Sequence, residues 1–121
     1  GRNHVRLDRM RGRSDDMMVL RGVNIFPIQI EKILMQFKEL ANNYLITLTT
    51  DDDNDNMTVE VELEELFTDD FQRLLSLEKD IKHRLKDEIL LTPHVKLVPK
   101  GTLPVSEGKA VRVIDKRKVY Q

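Results

Sequence analysis

The order of apolar and polar residues predicts a succession of short strands and helices. Two apolar runs, 17–20 and 23–26, flank Arg21-Gly22 and are typical of a β-hairpin with a tight turn. Pro27 suits the first turn of a helix, because the N–H that proline lacks would be unpaired there anyway. Apolar residues at helical spacing follow and predict a first helix that runs to about Leu40. The apolar stripe of this helix comprises Ile30, Ile33, Leu34 and Phe37.

The middle of the chain predicts two strands and then a long helix. Residues 44–50 and 57–63 read as strands, and the second alternates apolar positions with Thr58, Glu60 and Glu62, which we expect to face outward. The acidic segment 51–56 predicts the turn between them. A long helix capped by Thr68 and ended by Pro93 follows. Its predicted apolar stripe comprises Phe71, Leu74, Leu75, Ile81, Leu85 and Ile89.

A final strand at 95–98 completes the order β-α-β-β-α-β behind one additional hairpin strand. This order favours an α+β fold of the ferredoxin-like type, in which a small antiparallel or mixed sheet carries two main helices on one face. Residues 99–108 contain two prolines and two glycines and predict an extended loop. Residues 110–115 are too short a run to be assigned to strand or helix.

Composition narrows the class of protein. The chain has 121 residues, enough for one domain with a modest core. Its formal charge of -1 provides no field that would attract nucleic acid or an anionic membrane, and no apolar run approaches membrane-spanning length. Cysteine is absent, which excludes disulfides and thiolate chemistry and favours a cytoplasmic location. We therefore expect neither nucleic acid nor a membrane as partner.

The sequence predicts no metal site. The three histidines, His4, His83 and His94, have no ligand spacing. The acidic segment 51–56 lacks the glycine and the distal glutamate of an EF-hand loop, and we interpret it as a solvated turn.

Lys109 is the candidate catalytic cation. It follows Gly108 at the end of a loop, where a long side chain can deliver a positive charge to a phosphoryl group or an attacked carboxylate in a site built elsewhere. The alternative interpretation is that Lys109 is an ordinary solvated loop lysine. Lys109 is not a P-loop lysine, because six residues separate Gly101 from Gly108 and Ala110 stands where serine or threonine is required.

Segment 12–16 is either a turn or a pivot. Asp15 and Asp16 are adjacent and on a strand would point to opposite sides, so they cannot serve as a paired acid and base. Serine, aspartate and glycine also tolerate the unusual backbone angles that a hinge requires. Arg13 and Arg21 each lie beside a glycine, where they would bind phosphate or form exposed ion pairs.

Three motifs taken together resemble the mobile C-terminal domain of the acyl-adenylate-forming enzymes. They are Met-Arg-Gly-Arg-Ser-Asp-Asp at 10–16, Arg-Gly-Val-Asn-Ile-Phe-Pro at 21–27, continued by Gln-Ile-Glu at 29–31, and Gly-Lys-Ala-Val-Arg-Val-Ile-Asp at 108–115. Val19 and Asn24 stand where the superfamily often has lysine and arginine, as in the phenylacetate-CoA ligase branch, which the chain resembles most closely.

The resemblance implies a role for each matching residue. Asp15 is the hinge about which the domain rotates, and Lys109 reaches the carboxylate and the α-phosphate during adenylation. Arg13 contacts the nucleotide side. Arg21 and Gly22 belong to a hairpin that faces the coenzyme A tunnel after rotation.

The resemblance also implies the reaction and the domain organisation. An aryl-acetic acid attacks ATP, which is bound with magnesium, to give an acyl-adenylate and pyrophosphate; the thiol of coenzyme A then gives the thioester and AMP. Residues 1–9 would be a lead-in from an N-terminal adenylation domain, the expected partner, and residues 10–121 the mobile domain. Because that larger domain has no counterpart here, we expect a fragment that is inactive alone and binds no cofactor by itself.

Two alternatives have the same order of elements. A regulatory module of ferredoxin-like fold would bind a small molecule at a sheet edge or a dimer interface, but it gives no role to Lys109. An RNA-binding module is disfavoured, because Val23, Asn24 and Ile25 follow Arg21-Gly22 where stacking aromatic residues are required.

Overall fold

The structure is a computed structural model that describes residues 4–6, 9–11, 17–52, 54–64, 70–106, 109–110 and 113–120. Two helices and eleven strands lie within these residues. The helices are α1 (Pro27–Leu34) and α2 (Phe71–Ile89). The strands are β1 (His4–Arg6), β2 (Arg9–Arg11), β3 (Met18–Leu20), β4 (Val23–Ile25), β5 (Leu40–Asp51), β6 (Asn54–Leu63), β7 (His94–Val98), β8 (Val105–Ser106), β9 (Lys109–Ala110), β10 (Val113–Asp115) and β11 (Lys118–Tyr120).

A five-stranded sheet in the order β2-β10-β5-β6-β7 forms the centre of the molecule. The long strands β5 and β6 are antiparallel, whereas β10 runs parallel to β5 and β7 runs parallel to β6. The connection between the parallel strands β6 and β7 contains α2. Three two-stranded pairs, β1-β11, β3-β4 and β8-β9, lie outside this sheet.

The predicted α+β class with a mixed sheet is confirmed, and the order of elements from β4 to β7 is the predicted one. The pairing differs from the predicted split βαβ arrangement. Within the described residues β4 pairs only with β3, β10 lies beside β5, and β7 lies directly beside β6, the strand to which α2 connects it. Pro27 limits β4 to three residues, because proline cannot donate a ladder hydrogen bond. The unassigned segment 110–115 thus supplies a strand of the main sheet, in which Val113 is fully buried against Ile46 of β5.

The first helix is shorter than predicted. It ends at Leu34 instead of Leu40, and hydrogen bonds from Gln36 N–H to the Ile33 carbonyl and from Phe37 N–H to the Leu34 carbonyl tighten its last turn. Phe37 still packs against the core, but it does so from a turn. Because Phe37 is apolar and falls at helical spacing, the sequence pattern continues past the true end of the helix at Leu34.

The long helix begins later than predicted and has a shifted stripe. Asp70 is the N-cap, with its side chain accepting a hydrogen bond from Arg73 N–H at 3.1 Å; Thr68 lies outside the described residues. The buried positions are Leu77, Ile81, Leu85 and Ile89, with Leu74 half-buried. Leu75 is exposed because it lies about 100° round the helix axis from Leu74. Phe71, at the first helical position, is exposed as well.

The two turn regions also differ from the predictions. Only residues 52 and 53 separate β5 from β6, so the predicted turn 51–56 is mostly strand. Within the predicted loop 99–108, Val105–Ser106 forms β8 and pairs with β9.

The two faces of the sheet are covered differently. Both helices and the β3-β4 hairpin pack on one face, over Tyr44, Ile46 and Leu48 of β5 and the alternate apolar residues of β6. The Tyr44 hydroxyl donates a hydrogen bond to Glu31 Oε1 of α1 at 3.0 Å, which ties helix to sheet. On the opposite face, Leu45 and Leu103 form a small second cluster with Val98 and Ile114. The segment that follows β7 therefore covers the outer face.

Candidate functional site

The Arg21-Gly22 turn is a strained hairpin tip that is fixed to the main sheet. Arg21 has a φ of 51° and Gly22 a φ of 77°, as expected of the two central residues of a type I′ turn. The Arg21 guanidinium donates from Nε to the Asp55 carbonyl at 2.9 Å and from Nη2 to Asn56 Oδ1 at 3.0 Å. These contacts hold the predicted coenzyme A hairpin against the start of β6.

Arg117 fixes the same hairpin from its other side. Its Nε and Nη2 donate to the two carboxylate oxygens of Asp115 at 3.0 and 2.8 Å, while Nη1 donates to the Val19 carbonyl and lies 3.4 Å from Asp55 Oδ2. The hydrogen bond to Asp115, only partly offset by burial, raises the pKa of Arg117 above its ordinary value, and the charges of Asp115 and Asp55 add to this. The arginine thus joins β3, β10 and the start of β6.

The outward face of the hairpin carries Val19 and Asn24, the two positions at which the sequence is expected to depart from the wider superfamily. Val19 and Asn24 lie directly opposite each other in the β3-β4 ladder, and both are exposed. Directly opposed residues of an antiparallel pair project to the same face. Val19 alternates with buried Met18 and Leu20, so the hairpin has one face in the core and one toward solvent.

Glu62 forms a second site at the other end of β6. It belongs to the outer face, as predicted, but it is only 4% exposed because the segment after β7 covers it. Its Oε2 accepts hydrogen bonds from Leu103 N–H at 2.9 Å and from Asn43 Nδ2 at 3.1 Å. Burial raises the pKa of Glu62, but hydrogen bonds from the backbone of Leu103 and Gly101 and from Asn43, together with the charge of Lys100, outweigh it and leave the pKa below its ordinary value.

The structure describes three of the five predicted site residues. Arg21 and Gly22 form the hairpin tip at the start of β6, and Lys109 begins β9, opposite Ser106 of β8. Asp15 and Arg13 lie outside the described residues. Lys109 and the hairpin tip belong to different two-stranded pairs, β8-β9 and β3-β4.

The sequence analysis missed Glu62 and Arg117. Glu62 follows the regular alternation of β6, so nothing local distinguishes it from an exposed glutamate. Arg117 offers a weak signal, since it stands two residues after Asp115 at the end of the third motif. Its contacts with Val19 and Asp55 span 98 and 62 residues and could not be predicted locally.

A shallow cavity lies beside the hairpin tip. It is lined by Leu20, Arg21, Asn56 and Pro93 among others, and its volume of about 20 Å³ is enough for about one water molecule. Within the part of the chain that the structure describes, no group of three metal-ligating side chains is present, and neither helix is both long and apolar enough to cross a membrane.

Comparison with known proteins establishes the family. Residues 22–117 match the family described as AMP-binding enzyme C-terminal domain. The chain belongs to this family. This is the family that the three motifs predicted. The match therefore decides against the regulatory and RNA-binding alternatives.

Relatives of this AMP-binding C-terminal domain include phenylacetate-CoA ligases. The phenylacetate-coenzyme A ligase of Escherichia coli K12 is 37% identical over 115 residues, which are 94% of this chain and 26% of the relative. A crystal structure of a domain of phenylacetate-coenzyme A ligase from Bacteroides vulgatus is 64% identical, with a TM-score of 0.82 over 88% of this chain and 98% of that chain. The chain thus spans about a quarter of the length of the curated relative.

A more distant AMP-binding relative is a 2-hydroxyisobutyryl-CoA ligase, solved in complex with its acyl-adenylate and coenzyme A in the thioesterification state. It is 30% identical, with a TM-score of 0.76 over 88% of this chain and 22% of that chain. The predicted resemblance to acyl-adenylate-forming ligases is therefore confirmed, whereas the roles of Lys109, Asp15, Arg13, Arg21 and Gly22 stay predictions.

Proposed function

We propose that this chain is the mobile C-terminal domain of an aryl-acetate CoA ligase, with phenylacetate as the acid. The observation that carries the proposal is the 64% identity to a phenylacetate-coenzyme A ligase domain that this chain covers almost completely. In this proposal an N-terminal adenylation domain holds MgATP and the acid, and the whole ligase works in the cytoplasm. This chain supplies Lys109 to that site in the first half-reaction and the Arg21-Gly22 hairpin in the second.

The fold supports a domain that presents two different ends. The Arg21-Gly22 tip is bound at Asp55 and Asn56, whereas the segment leading to Lys109 is bound at Glu62. At about 3.3 Å per residue, six residues of β6 separate the two attachments by about 20 Å. In the proposed cycle the two ends act in turn, and the domain rotates between the two half-reactions with Asp15 as the proposed pivot.

In the first half-reaction, a carboxylate oxygen of the acid attacks the α-phosphorus of ATP. The bond from that phosphorus to the β-phosphate oxygen breaks, and pyrophosphate leaves. Negative charge builds up on the phosphoryl oxygens in the transition state, and the ammonium of Lys109 stabilises it. Arg13, near the hinge, contacts the nucleotide.

In the second half-reaction, the thiol sulfur of coenzyme A attacks the acyl carbon, the bond to the AMP oxygen breaks, and the thiol proton is released. Lys109 has no role in this step and leaves the site as the domain rotates. The rigid hairpin with Arg21 and Gly22 takes its place beside the thiol. The complex of the 2-hydroxyisobutyryl-CoA ligase with an acyl-adenylate and coenzyme A supports a state of this kind.

Lys109→Ala in the full-length ligase tests the proposal. Removing a transition-state donor of this type lowers kcat by roughly 10²–10³. ATP-pyrophosphate exchange, which reports adenylation, should fall by that factor. Thioester formation from preformed phenylacetyl-adenylate should stay within about twofold, because the lysine contributes only to the first step.

Lys96→Ala is the matched control, because Lys96 is an exposed lysine on the neighbouring strand β7. It should leave both half-reactions unchanged. Equal losses in the two half-reactions of Lys109→Ala would contradict the proposed role of the lysine. Activation of another class of carboxylic acid in preference to phenylacetate would contradict the proposed substrate.

A further inference from the structure

Glu62 is a buried charge that binds the backbone of the segment after β7. In the described residues, Glu62 and Asp115 are the buried charged side chains. Asp115 has the guanidinium of Arg117 as its partner, 2.8 Å away. Glu62 instead accepts from the Leu103 N–H at 2.9 Å and from Asn43 Nδ2 at 3.1 Å. The contact with Leu103 therefore fixes the path of the main chain.

The segment that Glu62 holds has little freedom of its own. Pro99–Thr102 forms a tight turn in which Thr102 N–H and Oγ1 both donate to the Pro99 carbonyl, at 3.2 and 2.6 Å. Gly101 has a φ of 88°, as the third residue of a type II turn requires. The Leu103 side chain is 6% exposed and packs with Leu45. The turn and Leu103 are thus anchored by polar contacts and by burial.

This anchored segment leads directly to Lys109. Leu103 lies two residues before β8, and β8 pairs with β9, in which Ser106 is opposite Lys109. The β8 and β9 strands have two residues each, and in the described residues they pair only with each other. An isolated two-stranded hairpin is marginally stable in water. The direction in which the β8-β9 hairpin leaves the sheet therefore depends on where its base is held.

We propose that Glu62 is a positioning residue for Lys109: its carboxylate holds the Leu103 backbone, directly after the Pro99–Thr102 turn, on the outer face of β6 and so sets the place from which the β8-β9 hairpin delivers the lysine. The inference rests on the proposed function, since it gives Lys109 its role in adenylation. A misplacement of about 1 Å can cost about 100-fold in rate.

The test is Glu62→Gln in the full-length ligase. A carboxamide can keep an acceptor oxygen at the Oε2 position for Leu103 and Asn43, but it removes the negative charge and places a donor NH₂ at the Oε1 position. ATP-pyrophosphate exchange should fall roughly 10- to 100-fold in kcat. Thioester formation from preformed phenylacetyl-adenylate should stay within about twofold. Glu60→Gln, on the same strand and face, is the matched control and should leave both rates unchanged.

A double variant distinguishes positioning from a general structural effect. If Glu62 acts through Lys109, adding Glu62→Gln to Lys109→Ala should lower exchange by less than about twofold beyond Lys109→Ala alone. Multiplicative losses, or equal losses of both half-reactions in Glu62→Gln, would overturn the inference. Normal exchange in Lys109→Ala would overturn the proposed function and the inference with it, whereas a loss there and none in Glu62→Gln would overturn the inference alone.

Asn43→Ala keeps the test decisive if Glu62→Gln does not fold. It removes one donor to Glu62 Oε2 and leaves the charge and the hydrogen bond from Leu103 N–H. We expect a smaller loss, about two- to fivefold, again confined to exchange and again absent in the Lys109→Ala background. Unchanged exchange in a folded Asn43→Ala protein would count against Glu62.

Discussion

At the residue scale, two charged side chains hold segments that are distant along the chain. Arg117 connects Val19, Asp55 and Asp115, and Glu62 connects Asn43 with Gly101 and Leu103. Both use multiple hydrogen bonds to one charged group, which is stronger and more directional than a single ion pair. Such groups stabilise a unique arrangement only as long as every partner is present.

Arg117→Ala should destabilise the domain by about 3 kcal/mol, because it leaves the buried Asp115 carboxylate without its partner. Arg117→Lys should recover only part of this, since an ammonium cannot form the two parallel bonds to one carboxylate. Urea unfolding of the domain measures both. In the Arg117→Ala background, Asp115→Asn should restore stability; if it destabilises further, the unpaired charge is not the cause.

The depressed pKa of Glu62 predicts a specific dependence of stability on pH. The folded chain favours the ionised form, so this stabilisation is full above the ordinary pKa of 4.5 and is lost as the pH falls through the lower value of the folded state. Glu62→Gln lacks the titration, and the difference in unfolding free energy between wild type and variant should shrink from pH 7 to about pH 3. Urea unfolding at several pH values measures it, with Glu60→Gln expected to follow the wild type. If the difference in unfolding free energy between wild type and Glu62→Gln did not change with pH, the lowered pKa of Glu62 would be contradicted.

At the element scale, the strands that alternate regularly could be predicted and the ends that depend on remote partners could not. The apolar alternation of β6 placed its core face correctly. Phe37 prolonged the periodicity of α1 because it is half-buried from a turn. Strand β10 has a local pattern of only three residues, and its partner Ile46 lies 67 positions away. The local alternation of β6 predicts that Glu62 is exposed. It is buried because a segment about 40 residues away along the chain covers it.

Two glycine turns at opposite ends of β6 give a matched pair of variants. Gly22 and Gly101 have φ values of 77° and 88°, and a Cβ at either meets nothing within 4 Å. Alanine at each should therefore cost only backbone strain, about 1–2 kcal/mol. In the full-length ligase Gly22→Ala should slow mainly thioester formation and Gly101→Ala mainly pyrophosphate exchange. If both variants slow the same half-reaction, the proposed division of the two ends is wrong.

At the scale of the whole molecule, most of the core occupies one face of the sheet. The Arg21-Gly22 tip and the segment that leads to β8 are each tied to β6 by a polar contact. In the proposed function, such a body would rotate without rearranging its interior. Its chemistry would then depend on a site that another domain builds.

Complementation between separate domains should reveal that dependence. We expect the 121-residue chain alone to bind MgATP too weakly to detect by calorimetry and to catalyse no exchange, because one lysine without a phosphate site supplies little affinity. Mixed with a ligase truncated to its N-terminal domain, the chain should restore part of the exchange, in proportion to its concentration. A covalent linker supplies an effective concentration in the millimolar range, so restoration should be incomplete at micromolar chain. The Lys109→Ala chain should restore thioester formation from preformed adenylate but not exchange; turnover by the chain alone would refute the proposal that the site lies elsewhere.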